Sequence, residues 1–300
     1  VHSYRHGFHA ANHADVLKHA ILVQILDYVT RKASALQVID THAGAGLYDL
    51  GHDWSQQSGE ALTGVACLLP ADGNASVTDN APPLIARYVQ MLTQCRAQHG
   101  AQAYPGSPWL ALQALRRGDH LHVFETHPSE IQALRRLPHL RPELPKRQIT
   151  LHHTDGFAAP KALLPPVSRR AVVVMDPSYE DKLDYRRVTQ ALKEGLQRFA
   201  TGCYVVWHPL VQRREVMDMV RVLSRLPGAD WLHATLQVKQ VPRDGVGLYG
   251  SGVFVVNPPW TLRAELQAAL PWLCERLAQD AHARITLRDT QAVPDSDPRG

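Results

Sequence analysis

The sequence predicts an α/β protein with an open, doubly wound, mostly parallel sheet of seven strands, the last one antiparallel. Three observations carry this. Between Leu36 and Trp207, five short apolar or β-branched runs alternate with helical stretches, the pattern of parallel strands joined by helical crossovers. Two further strands, 231–239 and 252–257, then follow with no helix between them, so the second must return antiparallel. The composition fits as well: 300 residues, 45% apolar and 20% charged, are globular values for a chain long enough to bury a large core without metal or disulfide staples.

The elements follow in order. Asn12 and Asp15 stand in cap-like spacing before a broad apolar stripe that includes Val16, Leu17, Ala20, Ile21 and Leu26, which predicts a helix over 12–32. Leu36 to Asp40 is a short strand running into the turn Thr41-His42-Ala43-Gly44-Ala45-Gly46. Residues 51–102 change character, with Pro82-Pro83, small polar residues and four acids against two arginines; they are expected to form an inserted helical subdomain, helical around 86–95. The alternation resumes after Pro108 with a helix at 109–117, a strand at 121–125, a helix at 128–137 and strands at 148–152 and 171–176. Tyr185, Val188, Leu192, Leu196 and Phe199 share one helical face after that strand. A strand at 203–207, a helix at 214–226, the final strand pair and a helix at 262–278 complete a main domain of 1–50 and 103–285. A Pro/Asp-rich stretch makes 286–300 a flexible tail.

Cys67, Cys95, Cys203 and Cys274 are scattered and form no C-x-x-C, which argues against a disulfide framework or a four-cysteine zinc site. No segment reaches the ~18 apolar residues of a membrane span, and the histidine-rich N-terminus lacks the apolar core of a secretion signal. A cytoplasmic home is expected. Charges of 32 basic against 28 acidic side chains leave +4, compatible with a phosphate-bearing partner but far from a nucleic-acid coat.

Open α/β sheets bind ligands at the carboxyl ends of their strands, and four successive parallel strands here end in an acid: Asp40, Glu125, Asp155 and Asp176. A carboxylate in that place is costly unless it meets water, a cation or a ligand donor. Gly44 and Gly46 let a ligand approach the backbone. With 51–102 treated as an insertion, Glu125 takes the position of the acid that binds two ribose hydroxyls, and Asp155 that of an acceptor for an adenine amino group. Asp176-Pro177-Ser178-Tyr179 resembles the Asp-Pro-Pro-Tyr-type loop of amino-methyltransferases. There a carboxylate and a backbone carbonyl accept both N–H bonds of a poorly nucleophilic exocyclic amine, and the aromatic ring stacks on an extruded base. Asn257-Pro258-Pro259-Trp260 matches the tetrapeptide better, but it ends an antiparallel strand and reads as a helix entry. His2, His6, His9, His13 and His19 have few helical metal spacings, no cysteine and few acids nearby, so no metal is expected. That N-terminal segment, with Tyr4 and Arg5, instead suits stacking and hydrogen bonding over cofactor or nucleic acid. Arg186-Arg187, directly after the proposed loop, is the best-placed basic pair for phosphate.

Ser3-Tyr4-Arg5-His6, Asn12-His13-Ala14-Asp15-Val16-Leu17-Lys18-His19, Asp40-Thr41-His42-Ala43-Gly44-Ala45-Gly46, Tyr104-Pro105-Gly106-Ser107-Pro108 and Pro166-Val167-Ser168-Arg169-Arg170 together resemble the bacterial RlmJ family over nearly the whole chain. The resemblance implies a Rossmann-like class I methyltransferase that methylates N6 of an adenine in 23S ribosomal RNA with S-adenosylmethionine as donor. Separately from the resemblance, a monomer acting on RNA that is free or in an assembly precursor is expected. The resemblance also implies cofactor contacts from His19, His42, Ser107, Glu125, Asp155 and Gly156, joined in our candidate set by Lys18, Asp40, Gly44 and Asp176. Catalysis falls to Asp176, Pro177 and Tyr179, and RNA contact to Tyr4, Arg5, Tyr179 and Arg186. Ser178 departs from the family's second proline. The alternatives are the same chemistry on DNA, or a nucleic-acid-binding protein whose catalysis has decayed.

Overall fold

The computed structural model describes residues 9–51, 59–69 and 80–290. Its main sheet has eight strands: β1 (Gln37–Asp40), β4 (His120–Phe124), β5 (Ile149–His152), β6 (Ala171–Met175), β7 (Cys203–Leu210), β8 (Trp231–Gln237), β9 (Gly250–Val256) and β10 (Arg284–Asp289), in the order β10-β8-β9-β7-β6-β1-β4-β5. β5, β4, β1, β6 and β7 are parallel. β9 lies antiparallel between β7 and β8. The β-branched run Val172-Val173-Val174 is buried on both faces, as a central parallel strand requires.

Three features depart from the sequence expectation. An eighth strand, β10, adds antiparallel to β8 and takes up the start of the expected tail. Its charged ends hide the alternation, and Thr235 and Thr286 hydroxyls 2.7 Å apart with Arg284 Nε donating to Gln237 Oε1 at 2.9 Å hold it in register. A small ribbon, β2 (Leu47–Asp49) with β3 (Ala103–Pro105), brings the two ends of the 51–102 segment together. It sets Gly106 against Gly46, with N–H to O at 2.9 Å.

The third departure concerns the first helix, α1 (His13–Val29), which is buried on every side from His13 to Leu26 rather than along one stripe. It packs on β9 and β7 and is covered by α2 (Pro83–His99), α3 (Ser107–Ala114) and α8 (Leu262–Leu277). Leu84, Ile85, Tyr88 and Leu92 of α2 therefore share one apolar cluster with Leu17, Ile21 and Ile25 of α1. The described part of 51–102 is helical and packs into the main core. α4 (Pro128–Leu134) adds Ile131 and Leu134 to the same cluster, while on the other face α5 (Ala159–Leu163) precedes α6 (Asp184–Arg198) and α7 (Arg214–Leu223), whose apolar sides cover β6 and β7.

β7, β9 and β8 enclose two neutral histidines, His208 and His233, with Nε2 atoms 2.9 Å apart. Burial pushes His208 down to about 4. The ring fits because residue 252 is glycine: a Cβ there would lie 2.3 Å from His208 Nε2. Gly252→Ala is expected to lower stability by about 1–3 kcal/mol, the range for overpacking a filled core. Urea denaturation measures this, and an unchanged midpoint would show that the ring has room to move.

Candidate active site

Because β1, β4, β5 and β6 are parallel, Asp40, Glu125, Asp155 and Asp176 all reach the same sheet edge. Two clefts open there. The first is lined by Lys18, His19, His42, Gly44, Tyr48, Ser107, Glu125 and Glu130 among others, the second by His9, Asp15, Glu60, Tyr179, Trp207 and Arg213. Lys18, Asp176, Ser178 and Glu180 line both, so they form the wall between the two.

The wall is built on a buried ion pair. Lys18, 3% exposed, places its Nζ 2.8 Å from Asp15 Oδ1 one helical turn away and also donates to Asp176 Oδ2. Burial alone would strip its charge, but the two carboxylates outweigh burial and raise its pKa. His19, the next residue, has Nδ1 2.9 Å from the Tyr104 hydroxyl, which in turn meets Tyr88 at 3.0 Å.

Glu125 organises the glycine turn. Its Oε2 accepts from Gly44 N at 2.9 Å and its Oε1 from Thr126 and His127 N at 2.7 Å each. Gly44 has φ +58, a left-handed backbone that places its N–H toward that carboxylate at little steric cost. Gly156 meets a different constraint: a Cβ there would lie 1.8 Å from the Thr41 carbonyl oxygen, so glycine lets the turn after β5 press against the turn after β1. Beside it His42 is held neutral, burial pushing it down to about 3, with its ring edge-on to Phe157 at 4.6 Å.

Several expected site residues sit elsewhere. Asp40 is 1% exposed and does not line the first cleft; it lies behind it, with no hydrogen-bond partner for Oδ2 among the described residues. Asp155 also stands outside that lining: it accepts from Phe157 N at 3.0 Å and pairs with Arg187, whose guanidinium covers the Phe157 ring. Arg186 lines a groove between α6 and α7 and neither of the two clefts. The ring expected to stack on a base, Tyr179, is 2% exposed. Its hydroxyl donates to the Trp207 carbonyl at 2.7 Å and its ring centroid lies 4.6 Å from that of the tilted Tyr185 ring, so it forms a floor of the second cleft instead of standing free. Asn257 to Trp260 lie at the opposite edge, where Asn257 donates to the Ala200 and Gly202 carbonyls. Tyr4 and Arg5 fall outside the described residues, as do His2 and His6. Among the described residues no group of three or more ligating side chains could hold a metal.

Sequence reasoning missed Asp15, Glu130, Glu180 and Trp207. Asp15 was readable in one respect: Asp15, Lys18 and His19 are charged or polar residues within an otherwise apolar helix.

Five parallel strands with a reversed β9 inserted between β7 and β8, a glycine turn gripped by the acid after β4, and an Asp-Pro turn after β6 define a class I methyltransferase. The chain belongs to the family described as Ribosomal RNA large subunit methyltransferase D, RlmJ, whose pattern matches residues 33–288. It is 38% identical over 290 residues to Ribosomal RNA large subunit methyltransferase J of Escherichia coli (strain K12), covering 95% of this chain and 98% of that protein. The Haemophilus influenzae protein of the same name is 36% identical, covering 95% and 97%. A crystal structure from Legionella pneumophila superposes with a TM-score of 0.80 at 30% identity, covering 93% of this chain and 98% of that one.

Asp40 yields a pH test. Burial raises its carboxyl from 3.8 to about 6, the Ser107 hydroxyl opposing. Its folded pKa exceeds the unfolded one, so its favourable contribution is complete below about 3.8 and is lost as pH rises through about 6. Asp40→Asn cannot ionise. It should therefore be more stable than wild type above pH 6, by up to about 3 kcal/mol at 1.36 kcal/mol per pKa unit, with the gap closing near pH 4; a constant gap in denaturation at each pH would refute a buried charge here.

Proposed function

We propose that this chain, an S-adenosylmethionine-dependent ribosomal RNA methyltransferase by family, transfers the methyl group to N6 of an adenine in 23S ribosomal RNA. The observation that carries the proposal is the position of Asp176 on the wall shared by two clefts, held there by Lys18. The first cleft suits the cofactor. Its lining carries the carboxylates of Glu125, Glu130, Asp176 and Glu180 against the single ammonium of Lys18, which Asp15 and Asp176 already neutralise. A ligand bearing a sulfonium and an ammonium group matches that excess of negative charge. When bound, S-adenosylmethionine supplies an electrophilic methyl group on its sulfonium. Glu125 has lone pairs beyond its three backbone bonds for ribose hydroxyls, and neutral His42 offers its ring at the turn.

The second cleft takes the adenine. Its amine lone pair is delocalised into the ring, so the chain must localise it. Lys18 occupies Asp176 Oδ2, which leaves Oδ1 for one N–H bond of the amine, and the Pro177 carbonyl accepts the other. Both bonds favour pyramidal nitrogen and stabilise the positive charge that grows as nitrogen meets the methyl carbon. The proton released from nitrogen passes to Asp176 or through it to water. Lys18 stays a cation throughout, which anchors the carboxylate. Tyr179 acts as the cleft floor, and Ser178 leaves the loop one proline less rigid than the family pattern. We place this activity in a monomeric cytoplasmic chain acting on 23S RNA that is free or in an assembly precursor, where the target base is still accessible.

The decisive experiment is tritiated methyl transfer from S-adenosylmethionine to protein-free 23S RNA, ribosomes and duplex DNA in parallel, with nucleoside analysis. N6-methyladenosine in RNA supports the proposal; methylation of duplex DNA alone replaces the substrate, and no transfer to any of them favours a binding protein. Asp176→Ala keeps the Lys18–Asp15 pair, so it should fold. It is expected to hold the cofactor within a few-fold of wild type while turnover drops by at least ~10²-fold. Loss of cofactor affinity with residual turnover would make Asp176 a cofactor ligand rather than the acceptor.

A further inference from the structure

The described walls of the two clefts carry six carboxylates, Asp15, Glu60, Glu125, Glu130, Asp176 and Glu180, against Lys18, Arg213 and His9. Phosphodiesters are poorly held by such walls, so an RNA substrate needs cationic contacts elsewhere. The opposite edge of the sheet offers a different pocket, lined by Tyr28, Arg169, Arg170, Pro258, Pro259 and Trp260 and, among the described residues, by no carboxylate. Trp260 is 81% exposed.

This pocket is built by specific local structure. Asn257 takes a left-handed backbone, φ +52, held by its side-chain amide donating to the Ala200 and Gly202 carbonyls at 2.7 Å each. That turn directs Pro258-Pro259 along the pocket, and Trp260 remains outside the core. Across the pocket Arg169 also has positive φ, +54. Its neighbour Arg170 is tied to the carbonyls of Val29 and Ser34, so Arg169 is the exposed cation of the pair. Arg31 lies 5.6 Å from the centroid of the Tyr28 ring. Non-glycine residues rarely hold such backbone angles without surrounding structure that enforces them, and here two of them face one pocket.

We propose that this pocket is a second RNA contact, in which Trp260 stacks on an unpaired base and Arg169 binds an adjacent phosphate. The proposal rests on RNA being the substrate. A large aromatic face beside guanidinium groups, without acids, is the chemistry that takes single-stranded nucleotides irrespective of sequence. The distance is compatible with one substrate: Arg170 precedes β6 and Asp176 follows it, a rise of roughly 20 Å at ~3.3 Å per residue, which a few nucleotides span. It also gives Asn257-Pro258-Pro259-Trp260 a role distinct from the methyl-transfer loop it resembles.

The test uses the full chain and the variants Trp260→Ala, Trp260→Phe and Arg169→Ala, with cofactor affinity and thermal unfolding as controls for folding. For protein-free 23S RNA, Trp260→Ala should raise KM and Kd roughly five- to tenfold with kcat unchanged, and Trp260→Phe should recover most of the loss. Arg169→Ala should reduce the slope of log affinity against log salt by about one. Wild-type KM, Kd and salt slope in Trp260→Ala and Arg169→Ala overturn the proposal, and the pocket then falls to a protein partner. If wild type methylates no RNA, the proposed function fails separately, and the Kd series alone decides this site: weaker RNA binding by Trp260→Ala retains it, equal binding removes it.

Discussion

An ammonium group buried between two carboxylates is the constraint around which this structure is arranged. Lys18 sits on a helix enclosed on all sides, and neither it nor Asp15 could remain charged there alone. A buried pair of this kind contributes little net stability, since the loss of water around each ion offsets their attraction. What it supplies is position. Asp15 is fixed by α1, Asp176 by the end of β6, and the ammonium joins the two. The α1 helix is thereby locked to the sheet edge where the clefts meet.

Around that wall, the backbone does much of the work that side chains do elsewhere. Glu125 grips the glycine turn through three N–H groups, Gly156 lets the neighbouring turn press on Thr41, and the ribbon of β2 and β3 brings Gly106 onto Gly46. These contacts place Ser107 and His42 in one cleft although they are far apart in the chain. The cleft walls are mostly acidic, which suits a cationic cofactor and leaves phosphate recognition to other surfaces.

Much of this was legible in the residues themselves. Alternating strands and helices, the acids that end the strands, the glycine turn and the Asp-Pro loop are local patterns, and the antiparallel β9 correctly put Asn257-Pro258-Pro259-Trp260 at the far edge. Less legible were contacts that depend on three-dimensional packing. The ring of Tyr179 reads as a free stacking surface in the tetrapeptide, yet its hydroxyl finds the Trp207 carbonyl and the ring is covered. Asp155 reads as a ligand acceptor, but Arg187, one turn into α6, reaches it first. In β10 the alternation is masked because an edge strand has little need for an apolar face.

The sequence by itself determined the order and type of the elements, because apolar periodicity and turn residues act over a few positions. It also determined which acids stand at strand ends, and through its family resemblance the class of reaction. Only the tertiary structure decided that α1 is enclosed rather than half-exposed, that Lys18 bridges Asp15 and Asp176, and that one wall separates two clefts. Those facts depend on which distant surfaces exclude water from a side chain, and burial of that kind is a property of the assembled core that no short stretch of residues encodes.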